Sequence, residues 1–182
     1  MSQEHTGEDR IIRIAAAVIL DGDGRMLVVR KSGTDAFMQP GGKLEPGESA
    51  AECLARELHE ELALVVALDE LEPLGRFGAD AANEAGWRVD CDVFRWAGAL
   101  RLASLAQGAA EGASLAQGAA EGVPLAQGVA DGAATAQGLV VQAELAEARW
   151  CGRDELLGLA ADGVLAPLTR DNLELFLLPS TR

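Results

Sequence analysis

The chain reads as a mixed α/β (α+β) protein, and three features point there. Strand-like apolar runs occupy residues 11–20, 25–30 and 87–100. Between them lies one helical stripe, in which Ala51, Leu54, Ala55, Leu58 and Leu62 recur at i, i+3, i+4, i+7 and i+11. Two further helical patterns, at 154–161 and 169–178, close the chain. Strands interleaved with a few helices pack as sheet layered on helix.

Taken in order, residues 1–9 are polar and expected to fray. Residues 11–20 form an apolar strand, Asp21-Gly22-Asp23-Gly24 a turn, and residues 25–30 a second strand, so the segment predicts a β-hairpin. Asp21, Asp23 and Gly24 open like a calcium-binding loop, but the remaining ligands and the closing glutamate are missing, which sets calcium aside. Residues 31–47 are loop-like, with Pro40-Gly41-Gly42 and Pro46-Gly47. The main helix is expected over 48–62, strand-like stretches near 64–68 and 74–77, and a turn at 83–86 before the strand 87–100.

The composition then changes. Residues 103–138 repeat ASLAQGAAEG twice, then VPLAQGVADG, then AATAQG. Ten residues advance a helix by roughly 1000°, so Leu105, Leu115 and Leu125 drift by ~80° each and share no stripe. Its recurrent glycines would each cost about 1 kcal/mol in a helix. The expectation is a flexible, low-complexity insertion within one domain spanning residues 10–178. Beyond it come strand and loop over 139–151, then the two closing helices.

Bulk properties narrow the function. Hydrophobic residues make up 49% of 182, enough for a core, while aromatics are 4% and tyrosine is absent, so that core is aliphatic. A net charge of −14 argues against binding a nucleic-acid polymer, which needs clustered Lys and Arg. Cys53, Cys91 and Cys151 are scattered without CxxC spacing, as in a reduced, cytoplasmic protein. His5 and His59 lack a zinc-like pattern. No run approaches the ~18 apolar residues of a membrane span. The run 11–20 follows acidic Glu4, Glu8 and Asp9, unlike a signal peptide.

The chemistry concentrates in residues 42–64. Glu57, Glu60 and Glu61 stand at i, i+3 and i+4, so on a helix they share a face with Cβ atoms about 5–6 Å apart. That face lies about 120° from the leucine stripe, so the helix can bury its leucines and hold three carboxylates at the core's rim. Such a face is either a solvated acidic surface or a site for a hard cation, since Mg²⁺ and Mn²⁺ prefer carboxylate oxygen and water. Gly41 and Gly42 would let the backbone approach a ligand closely, or simply turn the chain.

The spacing resembles a known signature. Gly42, five residues, Glu48, seven residues, then Arg56-Glu57-Leu58-His59-Glu60-Glu61-Leu62-Ala63-Leu64 is similar to the Nudix box of the MutT-like hydrolases, matching eight of nine specified positions. The stretches Ala148-Arg149-Trp150 and Asp154-Glu155-Leu156 also resemble the family's layout. The resemblance implies a mixed sheet sandwiched between helices and Mg²⁺-dependent (or Mn²⁺-dependent) cleavage of a nucleotide's diphosphate linkage. It implies that Glu57, Glu60, Glu61 and the Gly41 carbonyl bind metal, with Glu57 near the attacking water, and that Glu48 pairs with Arg56. One position departs: the signature's late glycine is Ala63, where a positive φ would cost about 1 kcal/mol.

Family side signatures for NADH, dinucleoside polyphosphates, ADP-ribose and coenzyme A are missing, which leaves nucleoside triphosphates as the default substrate and nucleoside diphosphate sugars as the alternative. A non-catalytic binding module is a third reading. Arg30 and Lys43 are either phosphate-neutralising cations or solvated ones. Glu144 and Glu147 are either simply exposed or, as the resemblance implies for this region, a late metal ligand or base. Asp171 and Asn172 open the last helix; Asp171 is its N-cap candidate, and the resemblance to nucleotide-cleaning members implies that this area can instead touch the base. Trp87 either stacks on a base or joins the core, and Cys53 is read as packing.

Overall fold

The computed structural model describes residues 10–96 and 144–178. Residues 1–9, the repeat at 103–138 and the segment before residue 144 lie outside them. The strands are β1 (Ile11–Val18), β2 (Met26–Lys31), β3 (Phe37–Met38), β4 (Gly41–Lys43), β5 (Leu71–Asp80), β6 (Arg88–Trp96) and β7 (Leu145–Cys151). The helices are α1 (Ala50–Leu62), α2 (Arg153–Ala161), α3 (Pro167–Asp171) and α4 (Leu173–Phe176). A four-stranded mixed sheet runs β4-β1-β6-β5, with β1 and β6 parallel; a three-stranded antiparallel sheet runs β3-β2-β7.

The sequence of β1 and β2 explains the layering. Alternate residues face opposite sides of a strand, and here both sides are apolar. Ala15, Ala17, Ile19, Leu27 and Val29 pack with Cys53, Leu54, Leu58 and Leu62 of α1. Ala16, Val18, Met26 and Val28 pack with Leu156, Leu168, Leu173 and Phe176 of the C-terminal helices. Two cores therefore share the same strands, helices cover both faces, and the expected mixed α+β sandwich is the fold. Each fully buried leucine of α1 contributes about 2 kcal/mol of transfer free energy.

Several details differ from the sequence reading. The turn at 21–24 forms as expected, with Asp21 Oδ1 accepting from the amides of Asp23 and Arg25 at 3.0 and 2.9 Å. The hairpin does not: β1 and β2 share only a bridge at Leu20–Met26 and then part into different sheets. Both strands are apolar on two faces, so pairing with each other would not alone bury them. Residues 64–68 form no strand; a single 3₁₀ turn, Leu68–Glu70, leads into β5, which bulges around Pro73–Gly75 where proline has no N–H to offer β6. The last helix breaks at Asn172, whose φ of −119° separates α3 from α4.

Candidate active site

The main helix begins two residues later than the sequence suggests. Ser49 is its N-cap, and Ser49 and Glu52 form a reciprocal capping box. Glu48 is thus outside the helix and free to turn back. Its carboxylate takes a two-pronged bond from Arg56, with Nε–Oε1 2.9 Å and Nη2–Oε2 3.0 Å. Arg56 Nη1 also reaches Glu57 Oε1 at 2.9 Å and Glu60 Oε2 at 3.1 Å, and Nη2 donates to the Lys43 carbonyl at 3.2 Å. One guanidinium ties the loop, strand β4 and two of the helical glutamates together. The Arg56 pairing holds the Glu48 carboxyl down at about 2.

The three helical carboxylates are not equivalent. Glu60 is exposed, Glu57 is largely covered, and Glu61 is 1% exposed. Glu61 Oε2 accepts from the Gly41 amide at 3.2 Å, and Oε1 lies 2.9 Å from Lys31 Nζ without an aligned hydrogen bond. Burial pushes the Glu61 carboxyl up, and the Lys31 charge opposes that shift.

Strand β4 supplies the close approach. Gly41 has φ +146°, and a Cβ there would fall 2.2 Å from the Ala15 carbonyl oxygen of β1. At Gly42 a Cβ would sit 2.1 Å from Glu57 Cδ. Glycine is required at both, once for the sheet and once so that the Glu57 carboxylate can lie against the backbone. Cys53 is fully buried, its Sγ 3.4 Å from the Lys43 carbonyl oxygen, and burial raises its thiol to about 12, so it packs as expected.

Beside this corner a cleft of about 380 Å³ opens, lined among others by Lys31, Gln39, Gly41, Lys43, Glu57, Glu84, Glu144, Leu168 and Thr169. Lys43 crosses part of it to Glu84 at 2.9 Å. Of the candidate residues, Lys43 and Glu144 line the cleft. Arg30 does not: it pairs with Glu147 at 3.2 Å, donates to the Thr34 carbonyl and stacks over Phe37. Its neighbour Lys31 lines the cleft instead, because successive strand residues face opposite sides. Glu147, bound to Arg30, does not line the cleft either. Asp171 and Asn172 also lie outside it. Asp171 ends α3 and pairs with Arg170, while Asn172 Nδ2 donates to the Leu168 carbonyl, so neither caps α4 with its side chain. The cleft wall there is Ala166 to Thr169. Trp87 is 37% exposed, ahead of β6, with Arg10 over its ring, and joins neither the core nor the cleft.

Lys31, Gln39, Glu84 and Thr169 were missed. Lys31 was detectable: it adjoins Arg30, and period-2 alternation puts only one of the two on each side. Nothing in the sequence pattern marks Gln39 or Thr169, which meet across 130 residues.

A model of the NUDIX domain matches residues 10–171. The chain belongs to the NUDIX family. Among solved structures, the NUDIX fold here is similar to a MutT protein from Methanosarcina mazei, with TM-score 0.58 and 22% identity over 93% of this chain and 94% of that one. It is also similar to the E. coli ORF135 protein, with TM-score 0.54 and 23% identity over 94% and 91% of the two chains. Among curated proteins, an RNA pyrophosphohydrolase of Legionella pneumophila is 45% identical over 53 residues, 29% of this chain and 30% of that protein. An 8-oxo-dGTP diphosphatase of Haemophilus influenzae is 34% identical over 68 residues, 35% of this chain and 50% of that one. The matched stretches thus span less than a third of the first relative and half of the second. The NUDIX box adopts its loop–helix–loop form with Ala63 in the glycine position, at φ +54°. Among the described residues no helix is long and apolar enough to cross a membrane.

Proposed function

We propose that this NUDIX chain hydrolyses a diphosphate linkage in a nucleoside triphosphate, releasing the monophosphate and pyrophosphate with Mg²⁺ (or Mn²⁺) as cofactor, in the cytoplasm. The observation that carries this is the graded glutamate face, braced by Arg56, at the end of a cleft lined by Lys31 and Lys43.

The donor set fits a hard divalent ion. It is all oxygen: Glu57, Glu60, Glu61 and the Gly41 carbonyl. Glu48, Glu57, Glu60 and Glu61 pair with Arg56 and Lys31 among the described residues, so four carboxylates meet two cations and leave two negative charges to balance. Among the described residues no three His, Cys, Asp or Glu side chains stand together closely enough to hold an ion as they are, and Arg56 and Lys31 pair with Glu57 and Glu61. When bound, the metal would polarise the phosphorus centre and favour deprotonation of water. The chain's own residues do the rest. Glu57, which lies against Gly42, takes the proton of the attacking water. Arg56 fixes Glu57 and Glu60 without needing to touch substrate. Lys31 and Lys43 neutralise the leaving phosphates, and the apolar side of the cleft, with Ile12, Ile14 and Leu168, excludes water around the base. Water adds across one P–O–P bridge: its hydroxyl goes to one phosphorus, the bond from that phosphorus to the bridging oxygen breaks, the bridging oxygen leaves on the other phosphate, and the water's proton goes to Glu57. The three free, buried cysteines suit a reducing compartment.

The test is product analysis on canonical and oxidised nucleoside triphosphates, nucleotide sugars, dinucleoside polyphosphates and 5′-triphosphate RNA, with and without Mg²⁺. Mg²⁺-dependent release of pyrophosphate is expected, with kcat/KM lowered about 100-fold or more by Glu60→Gln. Gly42→Ala, which drives a methyl into the Glu57 carboxylate, is expected to lower kcat by a similar factor, about 100-fold for a misplacement near 1 Å. Faster turnover of a nucleotide sugar would replace the substrate assignment. No turnover by folded protein that binds Mg²⁺ would favour a binding module.

A further inference from the structure

Among the 15 Lys and Arg of the chain, Lys31 and Lys43 are the only lysines, and both line the cleft. Lys43 is largely exposed and pairs with Glu84 at 2.9 Å. Lys31 is placed differently. It ends β2 at a register shift, and its Nζ stands 2.9 Å from Glu61 Oε1, its one ion-pair partner among the described residues. Glu61 is buried, and that oxygen is closed off from solvent. The other oxygen accepts from the Gly41 amide. The side of the Glu61 carboxylate not taken by backbone is therefore covered by an ammonium.

We infer that Lys31 is a resident counter-ion of Glu61 that a divalent metal displaces, and that the displaced ammonium turns to the substrate's phosphates, so that one side chain couples metal binding to phosphate binding. This deepens the proposed diphosphatase reading and rests on it. A buried carboxylate needs a partner charge, and Lys31 supplies it. A divalent ion and an ammonium on the same carboxylate are like charges in a dry corner, so the two compete. Lys31 is the cation able to yield. A single ion pair holds it, its flexible four-carbon stem lines the cleft, and Glu57 and Glu144 lie within its electrostatic reach. Arg56 is the contrast: a planar fork bound at once to Glu48, Glu57, Glu60 and the Lys43 carbonyl, which stays as the brace. Released from Glu61, the ammonium faces the cleft and any phosphate held there. The coupling is reciprocal, so phosphate in the cleft strengthens metal binding by the same factor.

The experiment uses the full-length chain with Mn²⁺ alone, its binding followed by electron paramagnetic resonance. Because the chain has only two lysines, trace acetylation read by mass spectrometry reports each separately, in EDTA and in saturating Mn²⁺. Lys31 is expected to react severalfold faster with Mn²⁺, and Lys43 to stay unchanged. Lys31→Met is expected to bind Mn²⁺ about tenfold more tightly, within the ordinary range of coupling between sites. Its Tm should fall in EDTA and recover toward the native value with Mn²⁺, whereas a packing role would lower Tm equally in both. With Mn²⁺ saturating, the variant should bind methylenediphosphonate about tenfold less tightly than the native chain. Mn²⁺ bound with no change in Lys31 reactivity overturns the inference and needs no variant to be folded. Unchanged or weaker Mn²⁺ binding by folded Lys31→Met also overturns it, and equal affinity for the diphosphonate overturns the turn toward phosphate. Exchange of Lys31 on Mn²⁺ binding with no turnover of any nucleotide would sink the diphosphatase reading while leaving the exchange standing.

Discussion

Ala63 is the only described non-glycine residue with positive φ, at +54°, and it ends α1. Its N–H bonds the His59 carbonyl at 3.0 Å, and the left-handed turn brings the Leu64 N–H to the Leu58 carbonyl at 3.2 Å and Leu64 itself into the core. The chain keeps the geometry of a glycine cap with an alanine, so the strain sits at one residue. Ala63→Gly is expected to stabilise the fold by about 1 kcal/mol, which raises Tm by roughly 2–4 °C for a chain of this size. Thermal melts decide this: an unchanged or lower Tm would mean that the strain is absorbed elsewhere. Gly41 and Gly42 show the opposite case, where the contact is backbone or carboxylate and no side chain has room.

At the scale of the element, α1 is a rod clamped at both ends and braced along its side. The Ser49–Glu52 box sets where it starts, and that leaves Glu48 on the loop facing Arg56. The Glu48 carboxyl falls from an ordinary 4.5 to about 2 in the folded chain, chiefly through the Arg56 hydrogen bonds. A depressed carboxylate stabilises the fold above its unfolded value and loses that contribution as pH falls through the folded one. The Tm difference between the native chain and Glu48→Gln is therefore expected to be largest above about pH 4.5 and to close toward pH 2. A difference that stays constant across that window would show that Glu48 acts through packing rather than charge.

In the whole molecule, both sheets and both cores draw on the two described segments: β7 from the second pairs with β2 from the first, and α2 to α4 cover the face opposite α1. The decapeptide repeat lies between these segments. Replacing residues 103–138 with a short Gly/Ser linker is expected to leave turnover unchanged. Tm should hold or rise slightly, since shortening so long a connection lowers closure entropy by only about 2 kcal/mol. Circular dichroism and the hydrolysis panel measure both; a large loss of either would show that the repeat packs on the domain. The charge of −14 also acts at this scale: Lys31 and Lys43 line the cleft together with Glu57, Asp80, Glu84 and Glu144, so the lining shares the acidity of the chain.

Periodicity and spacing by themselves determined the α+β class, the α1 stripe and the Glu57/Glu60/Glu61 face, because each depends on neighbours within a few helical turns. The two glycines of β4 were legible for the same reason; the Glu48–Arg56 brace came from the resemblance to the Nudix box. Tertiary structure decided what joins across the chain. It split β1 and β2 between two sheets, put Lys31 rather than Arg30 in the cleft, took Glu147, Asp171 and Asn172 out of it, and set Gln39 against Thr169. Local pattern says which residues can share a face. Which face closes on which cavity is fixed only when strands distant in sequence pair and bury both of their sides.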